Sequence, residues 1–210
     1  LRTSTAVAAE LTARPTTEQK HAIVVGYGRV GKVVCGLLKD HGIPFVAADS
    51  DSSTVTRDRR DGHEVYYGDA SDDKFLEICG LAQAAGVIIT IHNHDLIDEV
   101  VEHVRAKRPD VLIVSRARDA NHARHLYQLG ATDAVPETVE ASLQLSEAAL
   151  VGLGIPMGPV IASIHEKRDE IRHDLQRAAR EAGLERSHAV KPKRKLLRRG
   201  ASSSGEINSR

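Results

Sequence analysis

The sequence predicts an α/β fold with a doubly wound, parallel sheet of six strands. Three observations support this prediction: short apolar runs recur along residues 21–136, amphipathic stretches separate them, and the first run leads into a glycine-rich turn. Strands that are apolar along their whole length are typical of a parallel sheet that helices cover on both faces.

The apolar runs locate the strands, and the polar, periodic segments between them locate the helices. Six strands are predicted at residues 22–25, 43–48, 63–67, 87–91, 111–114 and 133–135. Helices are predicted from the glycine turn through Lys39, over the polar residues after Asp49, and at residues 71–79, 96–108 and 119–129. Ser71 is the expected cap of the third helix, and Gly130 is expected to end the fifth.

Two further helices are predicted after Pro136. The first carries apolar residues on more than one side, at Val139, Leu143, Leu145, Ala149, Leu150 and Leu153. The second, over residues 160–182, has one apolar stripe, formed by Ile164, Ile171, Leu175 and Ala178. Such surfaces need a packing partner, which is either the same domain or a second copy of the chain. We expect C-terminal dimerisation helices and a homodimer.

Composition divides the chain into four segments. Residues 1–20 are a predicted linker, 21–153 the nucleotide-binding domain, 154–185 a helical extension and 186–210 a disordered basic tail. The tail carries eight basic residues and one acid, which leaves 21 basic and 28 acidic residues before it. Because the folded body is acidic, nucleic acid is not an expected partner.

The sequence also bears on the cellular setting. No apolar run approaches the roughly 18 residues that span a bilayer, and the N-terminal residues lack the layout of a signal peptide. Cys35 and Cys79 lie among apolar residues and are expected to be buried thiols in a reducing compartment. The chain starts with Leu1, which indicates a fragment of a longer protein.

Residues 26–31 form the turn Gly26-Tyr27-Gly28-Arg29-Val30-Gly31 between the first strand and its helix. In this Rossmann-type motif the first glycine permits a tight turn, the second lets the backbone approach a pyrophosphate, and the third lets the helix lie close to the strand. The free N–H groups at the start of the helix attract an anion. Arg29 is expected either along the pyrophosphate or in solvent.

Asp49 ends the second strand, 18 residues past Gly31. A carboxylate at this position binds the hydroxyls of a ribose and repels a 2′-phosphate. The motif therefore predicts NAD(H), AMP or ADP as ligand, in preference to NADP(H).

Four segments in combination, HAIVVGYGRVG, VAAD, YYGDAS and VSRARD, resemble the RCK or TrkA-N domain. More narrowly, they are similar to the cytosolic C-terminal region of Kef-type monovalent cation:proton antiporters. The resemblance covers about residues 20–153. It implies a regulatory domain at the cytoplasmic face of the inner membrane, with an antiporter domain upstream of Leu1 in the same polypeptide.

The resemblance also implies site residues. Asp69, Ala70 and Ser71 match a segment near the adenosine end of the nucleotide. Arg116 and Arg118 match an arginine-rich segment after the fifth strand that is associated with glutathione-linked control and subunit contacts. The expected nucleotide-binding residues are Gly26, Tyr27, Gly28, Arg29, Val30, Gly31, Asp49, Ser50, Asp69, Ala70, Ser71 and His92.

The sequence departs from the resemblance at His92-Asn93-His94-Asp95, at the end of the fourth strand. We expect neutral histidines that contact a ligand or respond to pH, and no metal, because a third ligand is lacking. Two alternatives to a regulatory domain of an antiporter stay open. One is a stand-alone gating subunit of a potassium-uptake system, and the other is an NAD-dependent oxidoreductase, for which no substrate domain or Tyr-x-x-x-Lys pair is present.

Overall fold

The computed structural model describes residues 20–61 and 63–189. Within them, six parallel strands form one sheet in the order β3-β2-β1-β4-β5-β6. The strands are β1 Ala22–Val25, β2 Phe45–Asp49, β3 Val65–Tyr67, β4 Gly86–Ile89, β5 Leu112–Ala117 and β6 Asp133–Pro136. The strand order reverses between β1 and β4, so the predicted doubly wound, Rossmann-type sheet is confirmed.

Helices connect consecutive strands and follow the last one. They are α1 Arg29–Asp40, α2 Ser52–Arg60, α3 Asp73–Ile78, α4 His94–Lys107, α5 Ala120–Leu129, α6 Glu137–Gly152 and α7 Met157–Ala189. The side chains of Asp51, Asn93 and Asp119 accept hydrogen bonds from backbone N–H groups at the starts of α2, α4 and α5. Gly130 ends α5 with a φ of 108°, a conformation that glycine adopts without strain.

Two differences from the expected boundaries bear on the candidate site residues. Asp72, not Ser71, caps α3, because its carboxylate accepts the Lys74 N–H at 2.9 Å while the Ser71 hydroxyl donates to Asp69. β5 extends three residues past its expected end at Val114, because β6 pairs with it as far as Ala117 and Pro136. Arg116 therefore lies within β5 and not in the segment after it.

The core has a layer on each face of the sheet, because successive strand residues point to opposite sides. Ile23 belongs to the layer under α4 and α5, whereas Val24 belongs to a smaller layer under α1 and α2. Cys35 and Cys79 are buried free thiols, one in each layer. Burial raises the pKa of each thiol to about 12, so both remain protonated near neutral pH.

The C-terminal helices pack largely on their own domain. Leu175 of α7 joins the larger core layer, and Ile164 packs against Leu143 of α6. Five apolar side chains on α6, on α7 and in the turn between them stay exposed: Leu145, Leu153, Ile155, Met157 and Ile161. We call these five residues the junction patch.

Helix α7 is longer than the expected residues 160–182. It begins at Met157 because Pro159 falls in the first turn, where a missing N–H costs no hydrogen bond. It continues to Ala189, past its expected end at residue 182. The linker at residues 1–19 and the tail at 190–210 lie outside the described residues. No helix in the described part of the chain is long and apolar enough to cross a membrane.

Candidate functional site

A cleft of about 620 Å³ lies at the carboxyl ends of the central strands. This volume is in the range of small-molecule sites, and the point where the strand order reverses is where open α/β sheets bind ligands. The cleft is lined by Gly26, Gly28, Arg29, Val30, Asp49, Ser50, Thr90, Ile91, His92, Asn93, Leu96 and Arg116. Seven of these twelve residues were expected to bind the nucleotide, and an eighth, Arg116, was expected as a regulatory residue.

The glycine turn between β1 and α1 forms the floor of the cleft. Gly26 has a φ of 96°, and a Cβ at Gly31 would lie 2.0 Å from the carbonyl oxygen of Gly26. Both positions therefore require glycine for the turn and for the close contact between helix and strand. A Cβ at Gly28 would meet no atom within 4 Å, so the space beside this backbone is open.

Asp49 is held at the mouth of the cleft by two backbone groups. The Tyr27 N–H donates to Oδ2 at 2.6 Å, and the Asp51 N–H donates to Oδ1 at 2.8 Å. A carboxylate accepts about four hydrogen bonds. Acceptor positions on Asp49 therefore remain for hydroxyl groups of a ligand, and the two backbone hydrogen bonds fix the orientation of the carboxylate.

Thr90 is a cleft residue that the sequence analysis missed. Its buried hydroxyl donates to the carbonyl oxygen of Gly26 at 2.9 Å and so fixes the first glycine of the turn. Ile91, Asn93 and Leu96 also line the cleft and were not expected there. All four follow the end of β4, and the position of β4 beside β1 is the signal that would have identified them.

Arg116 enters the cleft from β5, and its side chain is only 14% exposed. Nη1 donates to the carbonyl oxygen of Thr90 at 3.3 Å, Nη2 lies 3.0 Å from Nε2 of His92, and Nε pairs with the Glu137 carboxylate. Burial and the charge of Arg29 lower the pKa of Arg116. A guanidinium nevertheless stays charged in proteins, so the cleft holds two cationic side chains.

Several expected site residues lie elsewhere. The Tyr27 ring is buried in the core under α1, and only its backbone N–H reaches Asp49. Asp69 forms a local turn by accepting the N–H and hydroxyl of Ser71, and Ala70 is buried in the larger core layer. Like Gly31, these residues are outside the lining of the cleft.

Arg118 also lies outside the cleft. Its side chain is 63% exposed and pairs with Asp119 at 2.9 Å. Its backbone N–H donates to Nδ1 of His122 at 3.2 Å. Arg116 and Arg118 therefore have different surroundings although they are two residues apart.

His92 and His94, the two histidines after β4, also have different surroundings. His92 faces Arg116 in the cleft, whereas the His94 ring packs edge-on against His122 with 5.0 Å between ring centroids. Among residues 20–61 and 63–189, no group of three or more His, Cys, Asp or Glu side chains has an arrangement that would hold a metal ion.

A smaller groove of about 330 Å³ lies between α5 and α7, where Tyr127, Gln176 and Arg180 contribute to its lining. It lies on the outer helices, away from the strand ends and the glycine turn. The cleft at the strand ends is therefore the better candidate for a binding site.

An all-parallel, doubly wound sheet with a glycine turn after β1 and an acid at the end of β2 defines the class of Rossmann-type domains. Within this class, the chain belongs to the TrkA-N domain family, whose model matches residues 22–137. The expected resemblance is thus confirmed.

Similar proteins include potassium-efflux antiporters. The chain is 34% identical over 179 residues to K(+) efflux antiporter 1, chloroplastic, of Arabidopsis thaliana, covering 83% of this chain and 15% of that protein. It is 34% identical over 155 residues to the glutathione-regulated potassium-efflux system protein KefC of Escherichia coli O139:H28, covering 74% of this chain and 24% of KefC. The chain thus spans less than a quarter of the length of these relatives.

A similar solved structure is the Shewanella denitrificans Kef CTD in its AMP-bound form. It aligns with a TM-score of 0.64 and 29% identity, and the match covers 76% of this chain and 98% of that one. The likeness therefore extends past the sheet into the C-terminal helices.

Proposed function

We propose that this domain binds an adenine nucleotide in the cleft at the carboxyl ends of its strands and thereby regulates a potassium (monovalent cation):proton antiporter. The observation that carries the proposal is the cleft itself, in which open backbone at Gly28, the fixed carboxylate of Asp49 and the cation Arg29 converge. The AMP bound to the similar Shewanella Kef domain supports an adenine nucleotide as the ligand class.

Each part of an adenine nucleotide has a complement in the cleft. The phosphate is placed at the start of α1, where free N–H groups and Arg29 favour an anion. The ribose hydroxyls donate to the remaining acceptor positions of Asp49. The base then extends towards the turn at residues 69–71, beyond the edge of the cleft. AMP, ADP and NAD(H) share these three parts.

A regulatory role accounts for the site better than oxidoreductase catalysis. The described lining of the cleft contains neither a tyrosine nor a lysine, so it offers no tyrosine–lysine pair for hydride transfer. Tyr127 lies outside the cleft and donates its hydroxyl to Asp133 at 2.6 Å. Burial and the neighbouring Asp133 raise its pKa to about 12, which does not suit a general acid or base working near neutral pH.

In this proposal the domain lies at the cytoplasmic face of the inner membrane, and the partner that it regulates is a membrane antiporter domain of the same polypeptide. The identity to KefC and to the Arabidopsis antiporter supports this assignment over a stand-alone gating subunit of a potassium-uptake system. Sequencing the coding region around this segment separates the two. A continuous reading frame with many apolar spans supports the antiporter, and a stop codon just upstream contradicts it.

A homodimer completes the proposed regulatory unit. The junction patch exposes Leu145 by 72% and Leu153 by 81%, and exposed apolar side chains in one region favour a protein contact. A second copy of the chain is the proposed partner, so that nucleotide occupancy alters the relative orientation of two subunits.

Isothermal titration calorimetry tests nucleotide binding. Asp49→Asn is expected to weaken the binding of AMP and NADH by about 1–3 kcal/mol, because the ribose hydroxyls lose a charged acceptor. The variant is also expected to discriminate less between NADH and NADPH. Asp110→Asn is the matched control, because Asp110 is an exposed carboxylate away from the cleft, beside Arg108. Equal affinities for wild type and Asp49→Asn would remove Asp49 from the site.

A further inference from the structure

The Arg116 guanidinium has a partner at each of its nitrogens. Two of these partners, the Thr90 carbonyl and the His92 ring, belong to the wall of the cleft. The third, Glu137, is the first residue of α6 and lies outside the lining of the cleft. The ion pair between Arg116 and Glu137 thus connects the cleft to a C-terminal helix.

The two members of this pair differ in burial. The Arg116 side chain is 14% exposed and depends on nearby acceptors, whereas the Glu137 side chain is 42% exposed. A half-exposed carboxylate regains water when it is released, so the loss of its partner costs little. A phosphate carries nearly twice the charge of a carboxylate and accepts more hydrogen bonds from a guanidinium. An anion in the cleft is therefore able to displace Glu137.

We propose that Glu137 competes with the phosphate of a bound nucleotide for Arg116, so that ligand binding loosens the attachment of α6 to β5. This inference rests on the proposed nucleotide site and adds a regulator to it. While no nucleotide is bound, Glu137 neutralises Arg116 and reduces the attraction for an anion. In the occupied cleft the phosphate takes over Arg116 and Glu137 turns to water.

The contacts of α6 connect the replacement of Glu137 at Arg116 to the rest of the C-terminal region. Glu140, about one turn after Glu137, pairs with Arg168 of α7 at 3.0 Å. Helix α6 is thus held to β5 by the Glu137 carboxylate and to α7 by the Glu140 carboxylate. Because coupling between two equilibria is reciprocal, whatever tightens the Arg116–Glu137 pair also weakens nucleotide binding.

Two variants of α6 test the competition. Glu137→Gln removes the charge and keeps an oxygen that accepts from Arg116. Glu140→Gln is the matched control, because it removes a carboxylate from the same helix outside the cleft. Calorimetry is done with AMP and with adenosine, which has the base and ribose but no phosphate. Circular dichroism and thermal melting verify that both variants are folded.

Glu137→Gln is expected to bind AMP about fivefold more tightly than wild type, on the scale of one part-exposed charge, and to leave adenosine binding unchanged. Glu140→Gln is expected to bind AMP as wild type does. Hydrogen exchange adds a structural readout: AMP is expected to speed exchange in the first turn of α6 in wild type and to have a smaller effect in Glu137→Gln.

Two results would overturn the inference while nucleotide binding stands. Unchanged AMP affinity in Glu137→Gln would show that no competition occurs. Weaker AMP affinity would show that Glu137 holds Arg116 in place for the ligand. If wild type binds neither AMP nor adenosine, the proposed function fails first and the inference fails with it.

Discussion

Replacing Gly31 by alanine tests the geometry of the glycine turn. The new Cβ would lie 2.0 Å from the carbonyl oxygen and 2.9 Å from the carbonyl carbon of Gly26. An ordinary contact needs about 3.4 Å, so α1 must move away from β1 by more than 1 Å. Both neighbouring atoms belong to the backbone, and no side-chain rotation relieves the contact.

We expect Gly31→Ala to lower the free energy of unfolding by about 2–3 kcal/mol, the upper part of the range for overpacking in a core. For a chain of this size, the melting temperature should fall by roughly 4–12 °C. AMP affinity should also fall, because the displaced first turn of α1 carries the N–H groups that face the phosphate.

Gly36→Ala in the same helix is the control. A Cβ at Gly36 meets no atom within 4 Å, and the residue is exposed. Alanine is favoured over glycine in a helix by about 1 kcal/mol, so this variant should be more stable than wild type. Urea unfolding followed by circular dichroism measures both changes. If Gly31→Ala is as stable as wild type, the close contact between α1 and Gly26 is not a constraint of this fold.

Two further predictions concern packing and assembly. Asp58 is buried and accepts a hydrogen bond from Lys32 at 2.7 Å. Burial alone would raise the pKa of Asp58, but the hydrogen bonds and positive charges of Lys32 and Arg57 outweigh it, so the pKa lies below its usual value. The contribution of Asp58 to the free energy of unfolding is therefore fully present above the unfolded-state pKa of about 4. It is lost as the pH falls through the lower pKa of the folded state. In urea unfolding at pH 7, Asp58→Asn should lower the free energy of unfolding by about 2 kcal/mol, and this difference from wild type should shrink in acid. A difference of the same size at pH 7 and in acid would contradict this prediction. For assembly, Leu153→Asp should convert a dimer to a monomer in light scattering while the circular dichroism spectrum keeps its helical signal. An undiminished dimer would exclude the junction patch as the interface.

The sequence was sufficient to predict the sheet because its strands are buried on both faces. Such strands appear as uninterrupted apolar runs, and the glycine turn and Asp49 mark where two of them end. Helix ends were predicted less accurately where two capping residues are adjacent. Ser71 and Asp72 are both good caps, and the turn at Asp69 decides between them by engaging the Ser71 hydroxyl.

The missed residues of the cleft depend on which strands are neighbours. Thr90 reads as an ordinary strand residue, and its role arises because β4 lies beside β1 and brings its hydroxyl to Gly26, 64 residues away. Glu137 reads as an ordinary acid in the first turn of a helix. Its contact with Arg116 follows from the β5–β6 register, which no local pattern encodes.

Side-chain direction explains why Tyr27 was expected in the site but does not line the cleft. Tyr27 belongs to the glycine motif by position, but its ring turns into the core beside Cys35 and Val55. A motif specifies which backbone approaches a ligand, and it leaves open where each side chain between the glycines points.

The most direct test of a nucleotide site at the strand ends is a titration of the isotope-labelled protein with AMP, followed by NMR of the backbone amides. We expect the largest shifts at residues 26–31, at Asp49 and at residues 90–93, with smaller shifts at the start of α6. Shifts confined to the groove between α5 and α7, or no shifts at millimolar AMP, would contradict it.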